Sequence, residues 1–347
     1  MTCRAPAPRR PLRYVLVLGV LAALLAVAVL AALALGSVRI PPGQVLDILT
    51  GRAEASPFRT IVLDVRLPRV LLGIVVGAGL AVIGTVLQAL VRNQLADPFL
   101  LGVSSGASTG AVLVIVLGIG ASLATTVTIP AAAFAGALLS LLLVYTLARG
   151  GGGGITTSRL VLAGVAVSYV LSALTSLILV TSARADHLQE VLYWTLGGLG
   201  AARWDMLALP AVTLAAGTAV LLTLARPLDL LLVGEEGATV LGLDTARFRA
   251  AVFVLASLMT GVLVAYSGAI GFIGLMVPHM ARMAVGAAHR ALLPVVALGG
   301  AVFLLLADLA ARTLAAPQDI PVGVLTALTG GPFFLWMLRR RPEGAPA

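Results

Sequence analysis

The chain has one cysteine (Cys3), three histidines, no lysine and few aromatic residues, and only 11% of its 347 residues are charged. Each shortage closes off a class of protein. One cysteine cannot build an internal disulfide framework. No group of His, Cys or carboxylate residues has metal-site spacing, and no nucleophile–base arrangement stands out. The five glycines 150–154 follow Arg149. They lack the lysine and hydroxyl residue of a phosphate loop and read instead as a flexible linker. No resident cofactor is implied, and any ATP-driven step needs an ATPase on another polypeptide.

What the chain has in abundance is apolar length. It is 60% hydrophobic with a mean hydropathy of +1.09, more than a soluble domain of this size can bury. A helix of about 20 apolar residues spans a bilayer, and roughly ten such runs occur. They cover 14–36, 68–91, 99–119, 127–148, 159–181, 206–225, 250–267, 271–286, 291–311 and 321–338. Runs seven and eight are separated only by Ser267 to Ile270, which leaves one long or broken helix as the alternative there. The expected class is an all-α polytopic membrane protein. The first run is too long for the core of a cleaved signal and reads as a retained helix.

The formal charge of +9 is carried by 23 arginines against 14 acidic residues. If Met1 is cytoplasmic and ten helices alternate, 15 arginines fall inside and eight outside. Positive residues favour the cytoplasmic side, so both termini are expected inside a bacterial plasma membrane. This makes 1–13 and 339–347 cytoplasmic tails around a membrane domain at 14–338. A soluble nucleic-acid binder is excluded. Segment 226–249 is the largest inner loop. Val45, Leu46, Ile48 and Leu49 predict a short amphipathic helix on the outer surface, and Tyr193, Trp194 and Trp204 suit an interfacial belt.

The most telling stretch is 66–105, RLPRVLLGIVVGAGLAVIGTVLQALVRNQLADPFLLGVSS. Arg66 and Arg69 sit three apart, on one helix face, beside a run of spanning length where two cations need an interface or a partner. Pro68 fits a first helical turn. The two arginines read either as headgroup anchors or as an outer docking site for an acidic partner. Arg312, with Asp308 one turn before it, pairs locally yet faces the same compartment. Gly73 and Gly77 have the spacing of close helix contact. Ser168, Ser172, Thr175 and Ser176 recur along the fifth run, as packing groups or as the lining of a moderately polar pathway. His279 reads as a cap or packing residue. An ion-coupled secondary transporter would need a carboxylate near the bilayer midplane, and every acidic residue falls in a loop or near a helix end.

RLPR with its glycine-rich helix, LVRNQLADPFLLGVSSGAS, LVLAGVAVSYVLSAL, WTLGGLG, GFIGLMVPHMAR and IPVGVLTALTGGPFF occur in an order that resembles the FecCD family of ABC importer permeases. The resemblance implies a type II importer architecture of ten helices in a homodimer, or a related heterodimer. It also implies a cytoplasmic ATPase partner and an extracytoplasmic binding protein. The cargo would be a ferric siderophore, or alternatively haem or vitamin B12. It assigns docking to Arg66, Arg69 and Arg312, and ATPase coupling to Gly234, Glu235, Glu236, Leu241 and Gly242. A cytoplasmic gate falls on Asn93, Gln94, Leu95, Thr157 and Ser158, and pathway lining on the hydroxyls of run five. Two departures stand out. Gln94 replaces the usual gate-loop proline, which restores a backbone N–H and relaxes φ, and Asp319 stands where Glu is usual.

Overall fold

The computed structural model describes residues 10–52, 57–97, 102–118, 125–149, 157–182, 184–316 and 318–339, and among these it is helical with no strand. Helix α1 (Arg10–Ala34) leads to the short α2 (Pro42–Leu49) and α3 (Pro57–Thr60). From α3 the axis continues through a π-helical segment, Ile61–Arg66, into α4 (Leu67–Val91). Next come α5 (Val103–Leu117), α6 (Thr125–Arg149), α7 (Thr157–Ser182) and the short α8 (Ala185–Thr195). A 3-10 turn at Trp204–Met206 precedes α9 (Ala208–Thr223), α10 (Ala225–Val233) and α11 (Glu235–Val240). The chain closes with α12 (Thr245–Ser267), α13 (Ile273–Val285), α14 (His289–Leu314) and α15 (Val322–Arg339).

Seven helical stretches among the described residues are long and apolar enough to cross a membrane, and α5, α13 and most of α15 are shorter apolar helices. Together they account for the ten apolar runs, and the chain is a polytopic all-α membrane protein. The bundle has two ends. At the base, Arg13 of α1 donates to the Met283 carbonyl of α13 at 3.1 Å, next to the start of α14. At the crown, where α1 and α14 end, Arg312 donates to the Ala32 carbonyl at 3.1 Å.

α4 is the central pillar, with 83% of its apolar stretch buried, against 11% for α1 and 22% for α7. Glycine permits this. Gly73 packs on Leu305 and Leu199, and Gly77 lies on the Gly300 backbone of α14. The close approach expected from their spacing is therefore present, and Gly84 makes the same kind of backbone contact with Gly274 of α13. The bare apolar faces of α1 and α7 are what lipid or a second chain would cover.

Three local differences from the sequence reading have physical causes. The helix containing RLPR begins at Pro57, not near residue 68. Pro68 is thus inside a continuous helix, just after the π segment, where the Leu67 N–H bonds the Val62 carbonyl. Pro68 offers no N–H to the Leu63 carbonyl, and Trp204 Nε1 supplies the missing donor at 3.0 Å. The amphipathic helix forms as α2, but only Val45 and Ile48 are buried, while Leu46 and Leu49 are exposed. Runs seven and eight are two helices, broken at 268–272.

That break packs tightly. The Gly198 N–H donates to the Ser267 carbonyl at 2.8 Å, and the Gly323 N–H to the Gly197 carbonyl at 3.3 Å. A Cβ at Gly197, Gly268 or Gly323 would strike the backbone of a neighbouring segment of this crossing. The WTLGGLG, SGAIGF and IPVG segments therefore meet backbone to backbone. Phe272, with φ of 68°, sits against Gly330 of α15. The glycine run 150–154 and Cys3 lie outside the described residues.

Candidate functional site

At the crown, α1 ends without a capping side chain of its own, leaving four carbonyls to be satisfied. Leu35 N–H reaches Ala31 and Ile40 N–H reaches Ala34, at 2.8 and 2.9 Å. The other two are taken by arginines: Arg66 Nη1 donates to Leu33 at 2.6 Å, and Arg312 Nη2 to Ala32. Arg66 Nη2 also donates to the Val38 carbonyl. Cations at a helix C-terminus are favoured by its dipole as well. Both arginines are 6% exposed, so the outer cations expected at a surface are buried caps of another helix.

Arg69 is held from two sides. Its Nε and Nη2 donate to Asp308 Oδ1 at 3.0 and 2.8 Å, and Nη1 donates to Asp319 Oδ2 at 2.6 Å. Asp308 is fully buried and is shared, because Arg312 Nε lies 3.1 Å from its Oδ2. Asp319 is different, with 39% of its side chain exposed. Tyr193 Oη donates to the Asp319 carbonyl at 3.3 Å. Three guanidiniums and two carboxylates thus join α1, α4, α14 and the segment before α15, leaving one unit of positive charge. Arg66, Arg69 and Arg312 are brought together, as the sequence reading expected. The Asp308–Arg312 pair was legible as a one-turn spacing, but nothing local showed that Arg69 and Asp319 join it.

At the base, α10 buries Ala225, Leu228 and Leu231 against the bundle and leaves Leu232 and Val233 exposed. Gly234, with φ of 121°, separates α10 from α11. α11 ends in a paired turn: Gly242 N–H bonds Thr239 and Leu243 N–H bonds Ala238, at 2.9 and 3.0 Å. Gly242 takes φ of 88° there, as this C-terminal motif requires. Val240, Leu241 and Glu236 are exposed, and Glu235 opens the helix. Around the expected coupling residues, Leu232, Val233, Val240 and Leu241 are thus all exposed apolar side chains.

α4 ends at Arg92, a non-glycine residue with φ of 52°. Asn93 then closes a turn around Gln94, its Oδ1 accepting from the Leu95 N–H at 2.9 Å. Gln94 is exposed. Thr157 and Ser158 open α7 at the same end. The hydroxyl stripe of α7 divides. Thr175 Oγ1 lies 3.0 Å from Thr109 Oγ1 of α5, and Ser168 faces the Gly102 turn. Ser172 and Ser176 are exposed. His279 meets the Phe333 ring edge-on at 6.0 Å, a packing contact.

A second joint was not foreseen. His289, the first residue of α14, is buried, and its backbone N–H donates to Asp229 Oδ1 of α10 at 2.9 Å. The same oxygen lies 2.6 Å from the His289 ring Nδ1. Asp229 so caps α14 from another helix, across 60 residues of sequence.

The described residues thus form a many-helix membrane bundle with a buried charge cluster at one end and exposed apolar residues at the other. Residues 24–340 match the FecCD transport family, and the chain belongs to it. It is 46% identical to the cobalamin import system permease protein BtuC of Halobacterium salinarum over 285 residues, 82% of this chain and 74% of that one. It is also 46% identical to the hemin transport system permease protein HmuU of Yersinia pestis over 283 residues, 81% and 84% of the two chains. A solved ABC transporter assigned to the metal-chelate type, in an inward-facing conformation, superposes with a TM-score of 0.81 at 32% identity. That match covers 94% of this chain and all of the other. The chain is a permease of an ABC importer.

Proposed function

We propose that this permease moves a metal chelate of the tetrapyrrole class, haem or a corrinoid, delivered by an extracytoplasmic binding protein and driven by a separate ATPase. The names of the two 46% relatives favour this over the ferric siderophore that the motifs alone suggested. In this reading the base is cytoplasmic, since eleven of the described arginines fall there against eight at the crown. Both termini are then inside, and 226–249 is the coupling segment. The observation that carries the coupling assignment is the exposure of Leu232, Val233, Val240 and Leu241 in one short segment, apolar side chains that a soluble partner would cover.

Docking takes place at the crown through Arg69. Arg66 and Arg312 are occupied in capping α1, whereas Asp319 is half open to solvent, and an acidic group of the binding protein can replace it on Arg69. The excess positive charge of the cluster favours that exchange. Residues 93–95 with Thr157 and Ser158 form the cytoplasmic gate. Ser172 and Ser176 line the pathway in a dimer of this chain, while Thr175 holds α7 to α5 and Ser168 packs against the Gly102 turn.

Uptake of labelled haemin, cobalamin and a ferric siderophore, in cells carrying the importer genes and in cells lacking this permease, tests the substrate. Permease-dependent uptake of haemin or cobalamin is the expected result. Uptake of the siderophore alone returns the cargo to the class first read from the motifs.

A further inference from the structure

The Asp229–His289 joint ties the base segment to one membrane helix in particular, and that helix continues to the crown. α10 packs on α4 and α14, and its polar attachment is to the first residue of α14. α14 then runs without a break for 26 residues to Leu314, with Asp308 and Arg312 in its last two turns. Along the way Gly300 lies against Gly77 of α4, so α14 and α4 touch through backbone. A helix of this length is about 39 Å long at 1.5 Å per residue. Both its ends are thus fixed by charged contacts, one to α10 and one to α4 and the segment before α15. The His289 ring has buried Nε2 without a partner, so Asp229 alone orients it.

We propose that Asp229 and His289 are positioning residues for transport: they form the joint through which displacement of α10–α11 enters the membrane bundle, and α14 carries it to Arg69 and Asp319. Towards α12, the segment continues through the turn at 241–244, where the Asp244 side chain accepts from its own helix at Arg247 N–H. A cap shared between two helices holds their relative angle as well as their distance, which apolar packing alone does not.

This inference rests on the proposed coupling role of 226–249, so the test separates the two. The permease is co-purified with its ATPase and reconstituted in liposomes, and ATP hydrolysis and chelate uptake are measured with loaded binding protein. Wild-type complex that hydrolyses ATP without uptake of any of the three chelates would remove the proposed function itself. Given wild-type uptake, Asp229→Ala and His289→Ala are each expected to retain ATPase binding and basal hydrolysis while lowering uptake per ATP five- to tenfold. The double variant is expected to be no worse than either single one, because the two side chains form one unit. Asp229→Asn keeps an acceptor for the His289 N–H and should recover part of the ratio. A Cys3→Ser background carrying Asp229→Cys and His289→Cys gives the rescue: uncoupled as free thiols, recoupled by a short bifunctional thiol reagent. Unchanged uptake per ATP in both single variants, additive losses, or no recovery on cross-linking would each overturn the proposal.

Discussion

The two ends of the bundle use charge in opposite ways. At the crown, five ionised side chains from sequence positions 66 to 319 share carboxylates and carbonyls, and three of them are almost wholly buried. At the base, one carboxylate meets one histidine, and the carboxylate side chain is 36% exposed. A buried network is stable only while complete, since removing one member strands the others in low dielectric. Cutting the base pair leaves the buried His289 ring and its backbone N–H without their acceptor, but strands no second buried ion. The crown is therefore built to hold its shape, with Asp319 as its one wet member, and the base depends on one carboxylate that reaches solvent.

The largest effect should come from Asp308→Ala. It leaves Arg69 and Arg312 without their shared counterion, and losing one partner of a buried pair costs about 3–5 kcal/mol. Thermal unfolding in detergent should show it as failure to purify a folded bundle or as a large drop in midpoint. A midpoint near wild type would mean that the crown is wetter than its geometry indicates. Second is Arg66→Ala, which orphans the Leu33 carbonyl at the end of α1. A hydrogen bond to a charged group is worth about 1.5–3 kcal/mol, and proteolysis of the α1–α2 connection should accelerate accordingly. Third, Trp204→Phe keeps the ring but removes the donor to Leu63, for a loss of about 1 kcal/mol. If stability is unchanged, water must satisfy that carbonyl in the variant.

How much of this was legible in the sequence follows from the range of each interaction. Apolar runs report helices directly, because a spanning helix satisfies its own backbone, and all ten appear. The Gly73–Gly77 spacing and the Asp308–Arg312 pair are signals within one helix, and both were readable. The Arg69–Asp319 and Asp229–His289 contacts join residues 250 and 60 positions apart, and no periodicity carries that. RLPR illustrates the middle case. Its arginines marked the crown, but the reading of them as surface cations missed that α1 ends without caps beside them. Pro68 looked like a helix start for the sound reason that proline suits one. Only the distant Trp204 makes an internal position tolerable.

The smallest expected change in stability is also the one that separates the two ends most sharply. Asp319→Asn removes a charge that is 39% exposed, and exposed pairs contribute about 0–1 kcal/mol, so the unfolding midpoint should barely move. Arg69 keeps Asp308 and stays folded in place. Its Nη1, which bonds Asp319, loses a competing carboxylate, however, and an acidic group of the binding protein then meets less opposition there. Docking measured by surface plasmon resonance at low salt should tighten several-fold, and the gain should shrink as salt rises because the contact is partly exposed. Asp244→Asn at the base, where the side chain caps its own helix and takes no part in the Asp229–His289 joint, should leave that same docking constant untouched. Tighter docking in both variants, or in neither, would mean that Arg69 is not the group that Asp319 shields.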